Sequence, residues 1–417
     1  MKVLIVSQYF WPESFRINEV AQSLRDEGCA VTVLTGQPNY PDGHVFEGYR
    51  AWGLGREPHP VGALLRLPLL PRGRNGALRL AMNYLSFIVS AGVLGPWLLR
   101  GQRFDAVLVY APSPILQAIP AIWLAWLKSA PLVTWVQDLW PESLAVTGFV
   151  RQPRALAAIA AVVRWIYRHN DLLLVQSQAF VEPVRAMAGS VPVSYHPNPG
   201  EVAFSAPPSA EAPALVLEPG FNVVFAGNLG TVQALDTVMA AAQLLRDDPE
   251  VRFVLVGSGS RGKWLAEETR RLGLENIRMA GRFAPAQMPA ILSQASALLV
   301  SLRRDPTMAQ TVPSKIPAYL AAARPIIAAL DGEGARVVME AGAGVSSPPE
   351  DPEALADAVR RLKAMAPAER EQMATRGRRY FEVHFEPQTL AKQLLAHLEG
   401  AVRGPGINSS RQAGRAE

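Results

Sequence analysis

Short apolar runs alternate along the chain with segments whose apolar positions recur three and four residues apart. Val3–Val6, Val31–Leu34, Ala106–Tyr110, Leu132–Val136 and Leu172–Val175 are runs of the first kind. Between them lie helix-like stretches such as Asn18–Glu27, which stops at Gly28. This rhythm predicts βα units feeding a parallel sheet. A second series follows with Asn222–Ala226, Val251–Val256, Ile277–Met279, Ala297–Leu302, Pro325–Ala329 and a strand at Val345. Residues 200–219, between the two series, are rich in Pro, Ala, Ser and Glu without sustained apolar period, as expected of a linker. The pattern therefore predicts an α/β protein with one domain over 1–199 and another over 220–385. Two such sheets would present their C-terminal edges to a cleft, where ligands bind. A polar tail from 404 to 417 is expected to be disordered.

One segment breaks the rhythm. Leu80–Leu99 carries no charge and is flanked by Arg79 and Arg100. Its length would cross a bilayer, but Asn83, Ser86, Ser90, Gly92, Gly95 and Pro96 dilute it. A span would also put the two ends of one α/β domain on opposite sides of the membrane. A buried helix is an alternative, and a helix lying on the membrane surface is the favoured reading. Charge favours it too. Of the net +5, the first 200 residues hold 17 Lys/Arg against 12 Asp/Glu. Arginines 50, 56, 66, 72, 74, 79, 100 and 103 stand against Glu57 alone between residues 48 and 104, as anionic headgroups would require. Nucleic acid is not expected as a partner, because no recognition motif accompanies the arginines. Ile115–Leu127, with Trp123 and Trp126, suits a membrane interface or a core equally. Cys29 is the only cysteine, which fits a reducing cytoplasm, and the N-terminus reads as a first strand instead of a secretory signal. The expected location is cytoplasmic, peripheral on the cytoplasmic face of the inner membrane.

Candidate chemistry gathers after the strands. In Phe221–Leu245 a strand meets Gly227 and Gly230, and then a helix with Leu235, Val238, Met239, Ala242 and Leu245 on one face. Free N–H groups and a helix dipole at that turn suit phosphate, although an ordinary βα turn looks the same. Gly257, Gly259 and Gly262 follow the next strand in a GxGxxG spacing, the mark of a dinucleotide site. Here it sits on a second strand, and the only acidic residue at the right distance, Glu275, precedes the following strand. In TVPSKIPAYL, Ser314 is expected to cap a helix and Lys315 to set a cation beside its N–H groups. Asp138 and Glu142 follow the strand LVTWV, where they could handle a hydroxyl proton or orient a sugar, or where Asp138 simply caps the next turn. Glu13, Arg16 and Asn18 hold the matching place after the first strand, and His196 closes the domain as either a structural or a catalytic group. Metal catalysis and acyl-enzyme chemistry find no motif.

The stretches SQYFWPESFRINEVAQSL, VTVLTGQPNYPDG, QDLWPES, FAGNLGTVQALDTV, LVGSG and VPSKIPAYLAAARPIIAALDGEGARVV resemble the family 4 glycosyltransferases over about residues 1–395. The resemblance is to the branch building colanic acid, O-antigen and capsule, with fucosaminyltransferase-like members. It implies a GT-B fold: two Rossmann-like domains facing across a cleft, with a helix over 386–403 packing back on the first. It further implies retaining transfer from a nucleotide-sugar, UDP-linked, to a lipid-linked acceptor, with no cofactor and no metal. On that basis Gly227, Asn228, Gln233, Gly257, Gly259, Arg261, Ser314 and Lys315 are the donor-binding candidates. Asp138, Lys315 and Glu13 are the catalytic candidates, and Arg16, Asn18 and Glu142 the acceptor-binding ones. The sequence departs from the wider family where that family has an arginine and a lysine, at Asn228 and Gln233. It departs again where the family has paired glutamates, at Gln310 and Ala318. Lys315, Arg261 and Lys263 are the nearest replacement cations.

Overall fold

The computed structural model describes residues 1–73, 76–146, 150, 152–204 and 215–404. Much of the expected linker (205–214) and the tail beyond 404 lie outside the described residues. The chain forms two units, Met1–Asn198 together with the chain from Leu390, and Pro199–Thr389.

The first unit is built on β1 (Lys2–Val6), β2 (Ala30–Gly36), β3 (Gly55–His59), β4 (Gly62–Leu67), β5 (Ala106–Ala111), β6 (Leu132–Val136), β7 (Leu172–Val175) and β8 (Val193–Tyr195). They lie in the order β3-β4-β2-β1-β5-β6-β7-β8. Central strands such as β5 and β6 are buried at every residue, as a parallel sheet covered on both faces requires. The covering helices are α1 (Ile17–Asp26), α2 (Ala77–Leu98), α3 (Ala118–Lys128), α4 (Glu142–Val146), α5 (Pro153–Arg168) and α6 (Val181–Ala188). In the chain from Leu390, Leu394 and Leu398 join the core of Val3, Ile5, Val20 and Leu24.

Three strands, β3, β4 and the short β8, have no counterpart in the apolar pattern. The hairpin β3–β4 pairs antiparallel, and β3 reads GREPH because its polar residues and Pro58 sit on a sheet edge that needs no apolar face. Arg66 on β4 also corrects the charge argument. It is 4% exposed, bound to Glu57 and to the Gly36 and Trp11 carbonyls, so it serves the fold and not an external anion.

Helix α2 is neither a wholly buried helix nor detached from its domain. Phe87, Ala91 and the following Leu99 lie in the same core as Leu4 and Val6. Leu78, Met82, Leu85, Val89, Val93 and Trp97 face outward. On α3, Trp123 and Trp126 stack at 4.9 Å while exposed.

The second unit has β9 (Phe221–Ala226), β10 (Val251–Val256), β11 (Ile277–Gly281), β12 (Ala297–Ser301), β13 (Ile326–Ala329) and β14 (Gly344–Ser347). They form one parallel sheet in the order β11-β10-β9-β12-β13-β14. Its site-bearing helices are α7 (Leu235–Leu244), α8 (Gly262–Leu272), α9 (Met288–Leu292) and α10 (Lys315–Ala321). Strand order reverses between β9 and β12, which marks the crevice where open α/β sheets bind ligands.

Candidate functional site

At that reversal two glycine turns touch. Gly227 ends β9 at φ +134° and Gly257 ends β10 at φ +136°, conformations that side-chain-bearing residues rarely adopt. A Cβ on Gly257 would stand 1.8 Å from the Gly227 carbonyl oxygen, and one on Gly227 would stand 2.7 Å from Lys315 Cε. The turns therefore need glycine for close approach as well as for φ. They open on a cavity of about 530 Å³ lined by Gly227, Asn228, Gln233, Gly257, Ser258, Ser314 and Lys315, together with Arg282, Phe283 and Met288.

Lys315 is the centre of the chemistry. Its ammonium donates to Gln233 Oε1 at 2.7 Å and lies 3.6 Å from the centroid of the Phe225 ring. Gln233 is fixed in turn by the Ser301 hydroxyl, which donates to its carbonyl at 2.7 Å. Burial pulls the Lys315 ammonium down to about 7, since the charged form loses its water. Among the described residues no carboxylate pairs with Lys315 or with Arg282. Two cations that no carboxylate pairs directly, on a glycine-lined cavity whose wall also carries Glu201, make a candidate anion site.

Several expectations change here. Some of the turn amides are occupied: the Gly227 N–H donates to the Val256 carbonyl at 2.9 Å, Leu229 to Ser258 at 2.9 Å, and Gly257 to Gly281 at 2.7 Å, whereas the N–H groups of Asn228, Gly230, Ser258 and Gly259 have no partner among the described residues. An anion there would meet free amides as well as side-chain cations. Ser314 is helical at the start of α10 and its hydroxyl caps nothing, so it lines the cavity instead of closing the helix. Arg261 pairs with Asp236, which also holds Arg303, and stacks 3.6 Å from the Trp264 centroid. It does not line the cavity, nor does Gly259, which packs beside Asn228 and Leu229. Lys263 is exposed and 3.8 Å from Glu267. Arg282 and Phe283 went unnoticed in the sequence, although Gly281 at φ +78° ends β11 on the same edge and would have pointed to them.

In the first unit the expected site residues mostly build loops. Glu13 is 1% exposed, and its carboxylate accepts the N–H groups of Asn39 at 2.8 Å, Tyr40 at 2.7 Å and Phe10 at 3.2 Å. Burial pushes its carboxyl up to about 7 against the opposite pull of those three donors. Its oxygens hold the β1 and β2 loops together, which corrects the catalytic reading. Asn18 likewise joins Trp11 N–H and the Glu13 carbonyl, while Arg16 pairs with Glu19 at 2.6 Å. Glu142 is exposed at the start of α4. His196 is buried between Trp135 and His397 and held neutral by burial, a core position. Asp138 differs. One oxygen accepts the Ser113 N–H at 2.9 Å, and burial raises its carboxyl.

Known proteins share this architecture. Residues 14–200 match the family model described as a glycosyl transferase 4-like domain, and residues 220–364 the one described as glycosyl transferases group 1. WcaI of Escherichia coli (strain K12), named as a colanic acid biosynthesis glycosyl transferase, is 27% identical over 77% of this chain and 81% of its own. WbjE of Pseudomonas aeruginosa, named as a glycosyltransferase, is 28% identical over 69% of this chain and 71% of its own. Among solved structures, Anabaena HepE in complex with UDP superposes with a TM-score of 0.66 at 15% identity, over 96% of this chain and 100% of that one.

The chain is a family 4 glycosyltransferase of GT-B fold. Within that family it belongs to the surface-polysaccharide branch to which WcaI and WbjE are related.

Proposed function

We propose that the chain transfers a sugar, with retention and without a metal, from a UDP-sugar to a lipid-linked acceptor in assembly of a colanic-acid, O-antigen or capsule-like polysaccharide. The observation that carries this reading is Lys315, a desolvated cation with no carboxylate partner, facing a glycine-lined cavity. A diphosphate brings about two charges out of water and needs cations waiting for it. As the sugar–phosphate bond breaks, negative charge grows on the leaving oxygen, so the Lys315 contact strengthens in the transition state. Arg282, Phe283 and Met288 supply the rest of the nucleotide's environment. HepE, bound to UDP in its crystal, supports the choice of nucleotide. Asp138 of the first unit serves the acceptor hydroxyl in this reading.

The exposed apolar face of α2 and the stacked Trp123–Trp126 pair support peripheral attachment to the cytoplasmic face of the membrane. Helix α2 is long and apolar enough to cross a bilayer, but its inner face belongs to the core of the first unit.

The test is a ligand-induced thermal shift with UDP-, GDP- and NAD-type compounds, with and without a chelator. Stabilisation grows with ligand concentration over Kd. A UDP response indifferent to chelation is expected; an NAD response alone would restore the dinucleotide reading of Gly257–Gly262, and silence from all three would leave an inactive binding protein.

A further inference from the structure

The cavity of the second unit mixes charges. Its glycine turns, Lys315 and Arg282 suit an anion, yet among the described residues that line it Glu201 is the one carboxylate. A carboxylate next to a bound diphosphate repels it, unless hydrogen-bond donors of the same ligand stand between the two. Glu201 belongs to a segment fastened on both sides. The Gly200 N–H donates to the Phe385 carbonyl at 2.8 Å, and a Cβ on Gly200 would stand 2.5 Å from the Phe381 ring. After Glu201 comes a short helical turn, Val202–Phe204, whose Phe204 is buried in one core with Ile291 and Leu292 of α9. The Phe204 N–H donates to the Glu201 carbonyl at 3.0 Å, and Arg378 donates to the Phe204 carbonyl at 3.2 Å. Glu201 thus enters the cavity wall from outside the sheet, beside Phe204.

The sheet itself brings no acid to the cavity. Strand β9 is followed by Gly227 and β10 by Gly257, β11 ends at Gly281 before Arg282, and α10 lines the cavity with Ala318. Glu275 precedes β11 and so lies at the wrong end of that strand. Asp236, the one acid of α7, holds Arg261 and Arg303 and does not line the cavity. Nucleotide-binding α/β sheets ordinarily meet the ribose hydroxyls with a carboxylate at a strand end. Here that place is empty of acids, and Glu201 faces the same cavity from another element.

We propose that Glu201 accepts the 2′- and 3′-hydroxyls of the donor's ribose, and so selects ribonucleotide-linked sugars over 2′-deoxynucleotide-linked ones. The inference rests on the nucleotide-sugar donor of the proposed function and names the feature by which the site chooses among such donors. Phosphates carry no donor for a carboxylate, so its partner is a hydroxyl or a base N–H. The apolar side chains beside Glu201, namely Phe204, Met288 and Leu292, suit the flat base and put the carboxylate at the nucleoside end. A vicinal diol then offers two O–H donors to two carboxylate oxygens, in charge-assisted bonds. Without the 2′-hydroxyl, one oxygen is covered by the nucleoside and left unpaired, the usual way a polar site rejects an analogue lacking one group. The diol also stands between Glu201 and the diphosphate that Lys315 holds.

The test is calorimetry of the full chain with UDP, 2′-deoxy-UDP, 3-methyl-UDP and UDP-glucose. The wild type should bind UDP about tenfold or more tighter than 2′-deoxy-UDP. Glu201→Ala should bring the two within about twofold of each other, chiefly by weakening UDP. Glu201→Gln, whose amide oxygen still accepts one hydroxyl, should keep part of the preference, which guards against a folding defect. If Glu201→Ala weakens UDP and 2′-deoxy-UDP equally, Glu201 only holds its segment in place and the proposal fails. If it abolishes a preference for UDP over 3-methyl-UDP instead, the carboxylate meets the base N–H and the proposal fails. An effect on UDP-glucose alone would put Glu201 on the transferred sugar, and tighter binding of every ligand would make it a mere repeller of phosphate; either result overturns the proposal. Equal affinity of the wild type for UDP and 2′-deoxy-UDP would do the same while leaving the donor reading standing. No binding of UDP or UDP-glucose by the wild type would strike the donor reading itself.

Discussion

The two units carry the same kind of sheet edge and furnish it in opposite ways. In the second unit, glycines let the turns after β9 and β10 lie against each other through backbone alone, and the nearby charged groups Lys315 and Arg282 are left facing the cavity. In the first unit, the loops after β1 and β2 are long and curled, and side chains hold them: Glu13 gathers three N–H groups, Asn18 two loop atoms, and Arg66 two carbonyls. A loop that cannot satisfy its own amides recruits the nearest carboxylate. A charged residue after a strand is therefore free for a ligand only where the turn has already closed on itself.

The most damaging way to break this contrast is Gly257→Val. The added side chain is strained at φ +136° and drives into the Gly227 carbonyl, so UDP binding should vanish in calorimetry. The second unit should also lose roughly 3 kcal/mol of stability in a melt. Intact UDP affinity would mean that the turns do not shape the site.

Lys315→Ala should lower kcat/KM by about 2–4 kcal/mol, the cost of one preorganised charge stabiliser, with Lys315→Arg restoring part. The cation also sets a pH dependence. The free ammonium loses its proton at about 7, so affinity for a UDP-sugar, whose diphosphate does not titrate in this range, should fall as pH climbs from 7 to 9. Binding at pH 8 should take up a proton, visible as a buffer-dependent enthalpy, and both effects should disappear in Lys315→Ala. In the ligand-free protein the unfolded chain keeps this proton up to 10.5, so Lys315 costs stability increasingly as pH falls from 10.5 towards 7.

Asp138→Asn should reduce turnover by about a hundredfold while calorimetry shows UDP affinity unchanged, since the proposed function assigns the nucleotide to the other unit. Equal losses in both would reverse the assignment of the two units.

Glu13 gives the smallest and most discriminating effect. Its carboxyl titrates at about 7 in the fold against 4.5 unfolded, so the folded protein holds the extra proton between those values. The Glu13 contribution to stability should then decline as pH rises from 4.5 to 7. Glu13→Gln should remove that slope from the melting temperature and leave UDP affinity alone. A change in UDP affinity would contradict the loop-building role.

The strands were legible because a sheet covered on both faces demands unbroken apolar runs, and β5, β6 and β9 supply them. Strand β3 was not, because an edge strand carrying Glu57 and Pro58 obeys no such demand. Within the site, Gly227, Gly257 and Lys315 announced themselves through turn chemistry and position. Arg282 did not: its one local signal was Gly281 at the end of β11, and a single glycine before an arginine marks a ligand site far less sharply than the paired turns after β9 and β10. Glu13 misled for the reverse reason: its neighbours in space, Asn39 and Tyr40, lie far along the chain and leave no trace near it in sequence.

The contact between Gly227 and Gly257 also bears on how the gene can vary. Every single-nucleotide change that alters a glycine codon introduces either a residue with a Cβ or a stop. At Gly257 any such Cβ falls 1.8 Å from the neighbouring turn's carbonyl oxygen. No one-step substitution there is neutral, and a compensating change at Gly227 offers no escape, because the obstructing atom is backbone that every amino acid shares. Lining side chains such as Met288 and Phe283 meet no such backbone obstruction, while the two turns that frame the cavity stay fixed by the genetic code itself.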